Sequence, residues 1–221
     1  MAFIIAYDRA FGWAEVASAA SILGARYDEL LRVGSIGASA NGKELTLLSV
    51  GRGEKHVLFV GTHHGTEHIT ANLLLMLAER LCGASERGTK LGRAAADYIL
   101  ATRTVDIIPM LIPEGAAIAQ SGVYWQANAQ GVDLNHNYNA GFAEYKRIEA
   151  DAGITGGCAT RYSGEYPESE PETEALCSYI RATEPEVVVC LHTQGGEIYF
   201  GYDDIVPRGA KALAGRMARR S

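Results

Sequence analysis

The chain has few of the features that mark membrane, disulfide-bonded or nucleic-acid-binding proteins. It holds four cysteines in 221 residues, and Cys82, Cys158, Cys177 and Cys190 share no short metal-type spacing, so we interpret them as reduced core or incidental residues. No apolar run approaches the roughly 20 residues of a membrane-spanning helix. With 20 basic and 26 acidic residues the net charge is −6, which argues against nucleic acid as a partner.

The beginning of the sequence shows no secretion signal. It lacks a basic start and reaches Asp8 before an apolar run of signal length has formed, so we expect a cytoplasmic location. A hydrophobic content of 48% and a charged content of 21% are ordinary for a globular chain with a sizeable core. No internal repeat is evident, and residues 1–221 are predicted to form a single domain.

Strands and helices are predicted to alternate along the chain. Apolar residues over 45–50 and 57–60 predict two strands that pair like a hairpin across the turn at 51–55. Later patterns predict a strand over 105–110 and a strand within 187–194 that carries a histidine at its carboxyl end, helices over 69–81, 93–101, 170–181 and 207–220, and a surface loop over 84–95. Residues 119–164, rich in Gly, Asn and Tyr, are predicted to form a long loop, and long ordered loops are often functional.

The ends of two predicted strands carry side chains that can bind a metal ion. His64 and Glu67 follow the strand at 57–60, and His192 stands at the carboxyl end of the strand within 187–194. The carboxyl ends of parallel strands share one rim of an open α/β sheet. Zinc in hydrolytic sites takes three N/O ligands and leaves a fourth position for water. We therefore predict one Zn²⁺ per chain, held by His64, Glu67 and His192.

Three neighbouring residues are alternative ligands. His63 and His68 could face the same space, and we prefer His64 because Glu67 lies on its side of the first helical turn. Cys190 points to the same strand face as the second ligand histidine, but we disfavour it because a neighbouring strand would crowd it. A His-x-x-Glu pair alone is more often a capping or surface arrangement, so the histidine on the second strand is what favours a metal site.

Five ordered sequence blocks extend over nearly the whole chain. They are SIGASANGKEL at 35–45, HGTE at 64–67, GVDLNHNY at 131–138, PESEPET at 167–173 and HTQ at 192–194. In this order they resemble the zinc carboxypeptidases, most closely the bacterial branch that includes gamma-D-glutamyl-meso-diaminopimelate peptidases. The resemblance implies that the residues matching His64, Glu67 and His192 bind zinc, in agreement with the ligand prediction.

The resemblance also implies a fold and a reaction. The expected fold is a three-layer α/β/α domain with a mixed, mostly parallel central sheet. The expected reaction is zinc-dependent hydrolysis of a peptide with a free carboxylate, such as a cell-wall muropeptide stem. Two other functions would use a similar site: a zinc deacylase of N-acyl amino acids, and a zinc-containing module that binds peptidoglycan fragments. The Tyr/Asn-rich block and the SEPET run favour the peptidase.

Two expected substrate-binding positions depart from the family pattern. His136 stands where the family usually carries an arginine that pairs with the substrate carboxylate, and imidazole is a weaker, pH-dependent partner. Gln126 stands, by alignment of Trp125, where a second cation of the family polarises the scissile carbonyl. Its amide can donate a hydrogen bond to a developing oxyanion but contributes less than a charge. We predict that Asn135, His136 and Gln126 bind substrate; the alternative for His136 is a turn cap without ligand contact.

The general base of the family has no counterpart in this sequence. In the family it is a glutamate on a late strand several tens of residues beyond the last zinc histidine, whereas this sequence ends at Ser221. Glu197 is our candidate for the role, although it follows His192 too closely to match. We therefore expect residues 1–221 to be a C-terminally truncated form of the catalytic domain. Unpaired backbone groups in its sheet would lower stability or promote self-association.

Overall fold

The computed structural model describes residues 3–202 and 205–219. The α-helices span Trp13–Arg26 (α1), Ile69–Glu86 (α2), Ala96–Thr102 (α3), Pro113–Gln120 (α4), Phe142–Asp151 (α5), Pro171–Thr183 (α6) and Ala210–Ala218 (α7). The β-strands span Leu31–Ala38 (β1), Glu44–Val50 (β2), Lys55–Val60 (β3), Lys90–Leu91 (β4), Ala94–Ala95 (β5), Arg103–Ile108 (β6) and Val187–Cys190 (β7). None of the described helices has the length and apolar character needed to cross a bilayer.

The main sheet is mixed, with strand order β1-β2-β6-β3-β7. The pairs β1–β2 and β2–β6 are antiparallel, whereas β6–β3 and β3–β7 are parallel. The predicted mixed sheet is confirmed, but half of these pairs, rather than most, are parallel. The difference arises partly from β1, which the sequence did not predict. Most of its residues are exposed, so β1 lacks the apolar alternation that identifies a half-buried strand.

The predicted hairpin between β2 and β3 is wrong, because β6 lies between these two strands. Val105 of β6 is opposite Val50 of β2 and beside Val57 of β3. The connecting turn packs directly on the start of β6: a Cβ atom added to Gly53 would lie 2.0 Å from the backbone nitrogen of Arg103. The turn between β2 and β3 thus passes over β6, which pairs with both strands. This pairing joins residues far apart in the chain, so a local sequence pattern does not reveal it.

Hydrophobic clusters on the two faces of the sheet produce the three layers. Along β3, Phe59 packs against the cluster that contains Leu75 of α2, whereas Leu58 and Val60 belong to the cluster that contains Leu176 of α6. Successive side chains of a strand point to opposite faces. The alternation therefore buries β3 between helical layers and gives the chain after Val60 a rigid starting point.

Other predicted elements differ from the structure mainly at their boundaries. Helix α2 extends beyond the predicted 69–81 into the expected loop at 84–95, which also contains β4 and β5; α3 begins later than predicted, and α7 lies within the predicted 207–220. The end of that prediction, Arg220, lies outside the described residues. The loop expected over 119–164 is partly wrong, because it contains α5. Only Glu149 of that polar helix is buried, so its sequence has no clear apolar face.

Candidate metal centre

The two predicted ligand segments meet because β3 and β7 are parallel neighbours. Val60 is paired with Cys190 at the ends of these strands, so the segments that follow emerge at the same rim. A short 3₁₀ turn, Gly65–Glu67, follows β3. The backbone nitrogen of Gly65 donates to the carbonyl of Gln126 (3.2 Å), and a Cβ atom at this glycine would lie 2.3 Å from the Gly115 carbonyl oxygen. Glycine therefore permits this close approach.

Thr62 provides a strained backbone position between β3 and the turn. Its φ of 53° is in the left-handed region, where a β-branched residue costs on the order of 1–3 kcal/mol. The backbone nitrogen of Thr62 donates to the hydroxyl of Thr70 (2.8 Å), and the Thr62 hydroxyl donates to the Pro109 carbonyl (3.2 Å). These buried contacts hold the strained position that directs the next residues toward the rim.

The side chains of His64, Glu67 and His192 form a compact cluster. One ligand atom from each can be chosen so that all three lie within 4.8 Å of one another; in the described part of the chain this is the group of His, Cys, Asp and Glu side chains suited to a metal ion. Nδ1 of His192 is 2.7 Å from Oε2 of Glu67, and Nδ1 of His64 is 3.2 Å from the same oxygen. His64 and Glu67 are buried, whereas the His192 side chain is 30% exposed. The cluster is thus open to solvent on the His192 side.

The two nitrogens of His64 have different environments. Nδ1 is buried without a hydrogen-bond partner and faces Glu67. Nε2 lies 3.3 Å from Oδ1 of Asp133 and 3.2 Å from Nδ2 of Asn135. Metal-binding histidines usually have their second nitrogen held by a carboxylate or carbonyl. An Nδ1 that lies beside Glu67 without a well-formed hydrogen bond, together with the Asp133 contact at Nε2, fits a metal ligand, and the N/O/N donor set suits zinc.

The alternative ligands lie outside the cluster. His63 is fully buried, its Nε2 lies 2.9 Å from the Tyr138 hydroxyl, and its ring centre is 5.6 Å from that of His192. Nδ1 of His68 is 2.9 Å from the carbonyl oxygen of Gly65. Cys190 is likewise absent from the set of close ligand atoms. His63 packs against the cluster, and His68 supports the backbone of the turn.

Two carboxylates, those of Asp133 and Glu67, place negative charge around His64. Burial alone would lower the pKa of His64, but the carboxylates of Asp133 and Glu67 raise it to about 9. Burial raises the pKa of Glu67, while the hydrogen bond with His192 and the nearby His64 lower it to about 2. For His63, burial and the adjacent His192 lower the pKa to about 3, so this ring is neutral. A divalent cation would complement the two ionised carboxylates.

The predicted substrate residues surround the cluster in different ways. Asn135 contacts His64 directly, as described above. The side-chain oxygen of Gln126 accepts a hydrogen bond from the Thr160 hydroxyl (2.6 Å), which leaves its amide hydrogens free of that contact. His136 stacks on Tyr145, with ring centres 3.7 Å apart and planes 7° apart. Asn135 is thus at the ligand shell, whereas Gln126 and His136 belong to the surrounding loops.

Asp133 is a site residue for which the sequence predicted no role. It lies within the GVDLNHNY block, two residues before Asn135. Its Oδ2 accepts hydrogen bonds from the Thr160 hydroxyl (3.2 Å) and the backbone nitrogen of Arg161 (3.0 Å), while Oδ1 faces His64. Its place in the block was the available signal, but the contact with His64 joins residues far apart in sequence. Asp133 links the metal cluster to the segment at 160–161.

Glu197 lies on an exposed segment after β7. Its carboxylate accepts a hydrogen bond from the Tyr199 hydroxyl (2.7 Å), and Tyr199 itself is 86% exposed. The described residues 191–200 contain no strand. The structure therefore gives Glu197 a local partner on the surface and shows no contact between it and the three clustered side chains.

A His/Glu/His cluster at the rim of a mixed α/β sheet is typical of metal-dependent hydrolases. The model of the zinc carboxypeptidase family matches residues 17–214, and the chain belongs to this family. Gamma-D-glutamyl-L-diamino acid endopeptidase 1 of Lysinibacillus sphaericus is 24% identical over 207 residues, covering 84% of this chain and 51% of that protein. Carboxypeptidase Z of Rattus norvegicus is 28% identical over 193 residues, covering 80% of this chain and 29% of that protein.

Solved structures show the same fold. Carboxypeptidase A from Helicoverpa armigera matches 97% of this chain and 54% of its own chain, with a TM-score of 0.79 and 20% identity. Thrombin activatable fibrinolysis inhibitor matches 96% of this chain and 57% of its own, with a TM-score of 0.77 and 21% identity. The chain thus has a carboxypeptidase fold and spans about half the length, or less, of these proteins.

Proposed function

We propose that His64, Glu67 and His192 hold one Zn²⁺, and that this chain carries the metal centre of a carboxypeptidase-type hydrolase acting on peptides with a free carboxylate. The observation that supports this most directly is that Nδ1 of His64, which is buried without a well-formed hydrogen bond, lies with Glu67 and His192 within reach of a single cation. A buried nitrogen without a hydrogen bond is costly, and a metal ion would give it a partner. Membership of the zinc carboxypeptidase family supports the choice of zinc.

The surrounding residues would prepare the site for this role. Bound zinc would supply polarisation of the scissile carbonyl and an acidified water. Asp133 is placed to accept the Nε2 proton of His64, which keeps Nδ1 free to bind the metal. Gln126, anchored through its oxygen by Thr160, can direct its amide hydrogens toward a substrate carbonyl. Asn135 would position substrate next to the ligand shell.

We further propose cell-wall stem peptides as the substrate class. The support is the similarity to an enzyme whose name specifies a gamma-D-glutamyl-L-diamino acid bond, and this similarity covers 84% of the chain. Stem peptides offer free carboxylates and amide bonds of this kind. The same metal centre could instead serve an N-acyl amino acid deacylase, and a comparison of substrates separates the two.

The first experiment measures zinc per chain in the purified protein. We expect about one zinc per chain in the wild type and loss of zinc in His192→Ala. Tyr199→Ala is the matched control, because it removes from the same segment after β7 a ring that is 86% exposed and whose hydroxyl donates to Glu197 rather than to the cluster. Equal zinc in the wild type and His192→Ala would refute the ligand assignment.

A second experiment separates hydrolysis from binding. Zinc-loaded protein is incubated with a stem tripeptide and, separately, with an N-acyl amino acid, each with and without a chelator. Chelator-sensitive cleavage of the tripeptide alone supports the peptidase, and cleavage of the N-acyl compound supports the deacylase. Binding without cleavage would favour a peptidoglycan-fragment module, an alternative supported by the surface position of Glu197, our candidate base.

A further inference from the structure

Arg161 touches the candidate metal centre through its backbone, whereas its side chain has no assigned role. Its backbone nitrogen donates to Oδ2 of Asp133 (3.0 Å), the same carboxylate whose Oδ1 faces His64. Its carbonyl accepts a hydrogen bond from the Tyr145 hydroxyl (3.3 Å). Arg161 adopts a left-handed backbone with φ of 70°. The contacts with Asp133 and Tyr145 therefore fix an uncommon conformation next to the ligand shell.

The guanidinium of Arg161 carries a positive charge that the described residues leave unpaired at this rim. The residue is exposed, and no carboxylate or carbonyl among the described residues pairs with its side chain. Its charge reaches the stacked pair of His136 and Tyr145. Burial lowers the pKa of His136 and Arg161 lowers it further, whereas burial and Asp133 raise the pKa of Tyr145 and Arg161 opposes them. By contrast, Lys146 is held by Glu149 at 2.7 Å. Arg161 is thus a cation on the His136 side of the site, with no side-chain partner in the part of the chain that the structure describes.

His136 does not provide a permanent charge at this position. Burial lowers its pKa, an effect that Asp133 opposes, and its Nε2 is 4.0 Å from Oδ2 of Asp133. One face of the ring is covered by Tyr145. His136 can therefore offer a hydrogen bond near neutral pH, whereas the nearby guanidinium offers paired donors of the kind that bind a carboxylate.

We propose that Arg161 binds the free carboxylate of the peptide substrate. The inference rests on the proposed function, and it assigns the charge recognition of that function to a residue outside the predicted set. A guanidinium can donate two parallel hydrogen bonds to a carboxylate, which fixes both its position and its orientation. The exposed side chain of Arg161 can meet an incoming peptide, while its backbone is anchored to the Asp133 that supports His64.

The test compares two peptides and two arginines. A fluorescent stem tripeptide with a terminal carboxylate, and the same peptide with a terminal carboxamide, are titrated with zinc-loaded protein and followed by anisotropy. We expect the wild type to bind the acid about tenfold or more tightly than the amide, as loss of a charged hydrogen bond implies. Arg161→Gln should bring the ratio of the two dissociation constants close to one. Arg147→Gln, which removes an exposed charge from α5, should keep the wild-type ratio.

Zinc content and thermal unfolding of each variant show whether the fold is retained. If Arg161→Gln loses zinc, Arg161→Lys decides instead: it keeps the charge but cannot form the paired hydrogen bonds, so the acid-to-amide ratio should fall about threefold or more. A wild-type preference for the acid that survives in the zinc-loaded Arg161→Gln protein overturns the assignment of Arg161 alone. A wild type that holds zinc but shows no preference overturns the proposed carboxylate specificity as well.

Discussion

The two segments that carry the candidate ligands differ sharply in how they are packed. After β3, residues 60–65 are all buried, and α2 buries eleven of its residues. After β7, residues 192–202 are all exposed, including Tyr199 at 86%. The rim of the sheet thus brings together a ligand pair held by a packed core and a single ligand held by an edge strand.

This difference suggests how metal binding would be organised. His64 and Glu67 have fixed partners in Asp133, Asn135 and the 3₁₀ turn, so they lose little conformational freedom when a metal binds. His192 is tied to the cluster mainly by its contact with Glu67. We call β3, the ligand turn and α2 the α2 side, and β7 with the segment after it the β7 side. We therefore expect the α2 side to determine the stability of the domain, and the β7 side to become more ordered when the metal binds.

The largest effect is expected from the core of the packed side. Leu75 of α2 is fully buried in the main hydrophobic cluster, so Leu75→Ala should lower the free energy of unfolding by about 2–5 kcal/mol through lost burial and a cavity. Urea unfolding followed by circular dichroism measures this change. Leu73→Ala is the matched control on the same helix, since Leu73 is 55% exposed. Equal losses would mean that α2 is not packed as described.

The next largest effect is expected from Asp133→Asn, which changes the residue that holds the ligand His64. The amide cannot supply the negative charge that faces His64 Nε2, so we expect zinc affinity to fall by about 10- to 100-fold. Competition with a chromogenic chelator measures the affinity. Ser49→Ala is a control far from these contacts, because Ser49 donates instead to Asp106. Unchanged zinc affinity in Asp133→Asn would argue that Asp133 does not orient a ligand.

Zinc and a proton compete for His64, so zinc affinity should depend on pH. In the metal-free chain the pKa of His64 is raised from 6.5 to about 9, so between these values zinc must displace a proton. Zinc affinity should then rise by about tenfold per pH unit from pH 6.5 to 8.5. Calorimetric titration at several pH values measures the slope, and a flat profile would contradict it.

The effect of pH on folding has the opposite sign: the raised pKa of His64 stabilises the metal-free chain fully below pH 6.5, and this contribution disappears as the pH rises through 9.

The sequence predicted the ligand trio and the strands before it because each is a local pattern. An apolar run followed by His64 or His192 needs no knowledge of distant residues, and the three side chains do lie together. The place of β6 between β2 and β3 depended on pairing between residues more than 40 positions apart, as for Val57 and Val105. Likewise, the contact of Asp133 with His64 and the proposed role of Arg161 depend on loop contacts that follow no periodic rule. Local chemistry was therefore predictable, and its supporting network was not.

The smallest effect on stability is expected at the exposed edge. Val188 of β7 is 39% exposed, and within the described residues β7 pairs only with β3. Val188→Lys should therefore change the free energy of unfolding by less than about 0.5 kcal/mol.

A charge on an edge strand opposes pairing with another chain, so the same substitution should reduce the self-association that we expect through this edge. Sedimentation velocity over a range of protein concentrations measures it. Association that is identical in the wild type and Val188→Lys would place the contact elsewhere, whereas a large loss of stability would show that β7 is packed more like the α2 side than its exposure indicates.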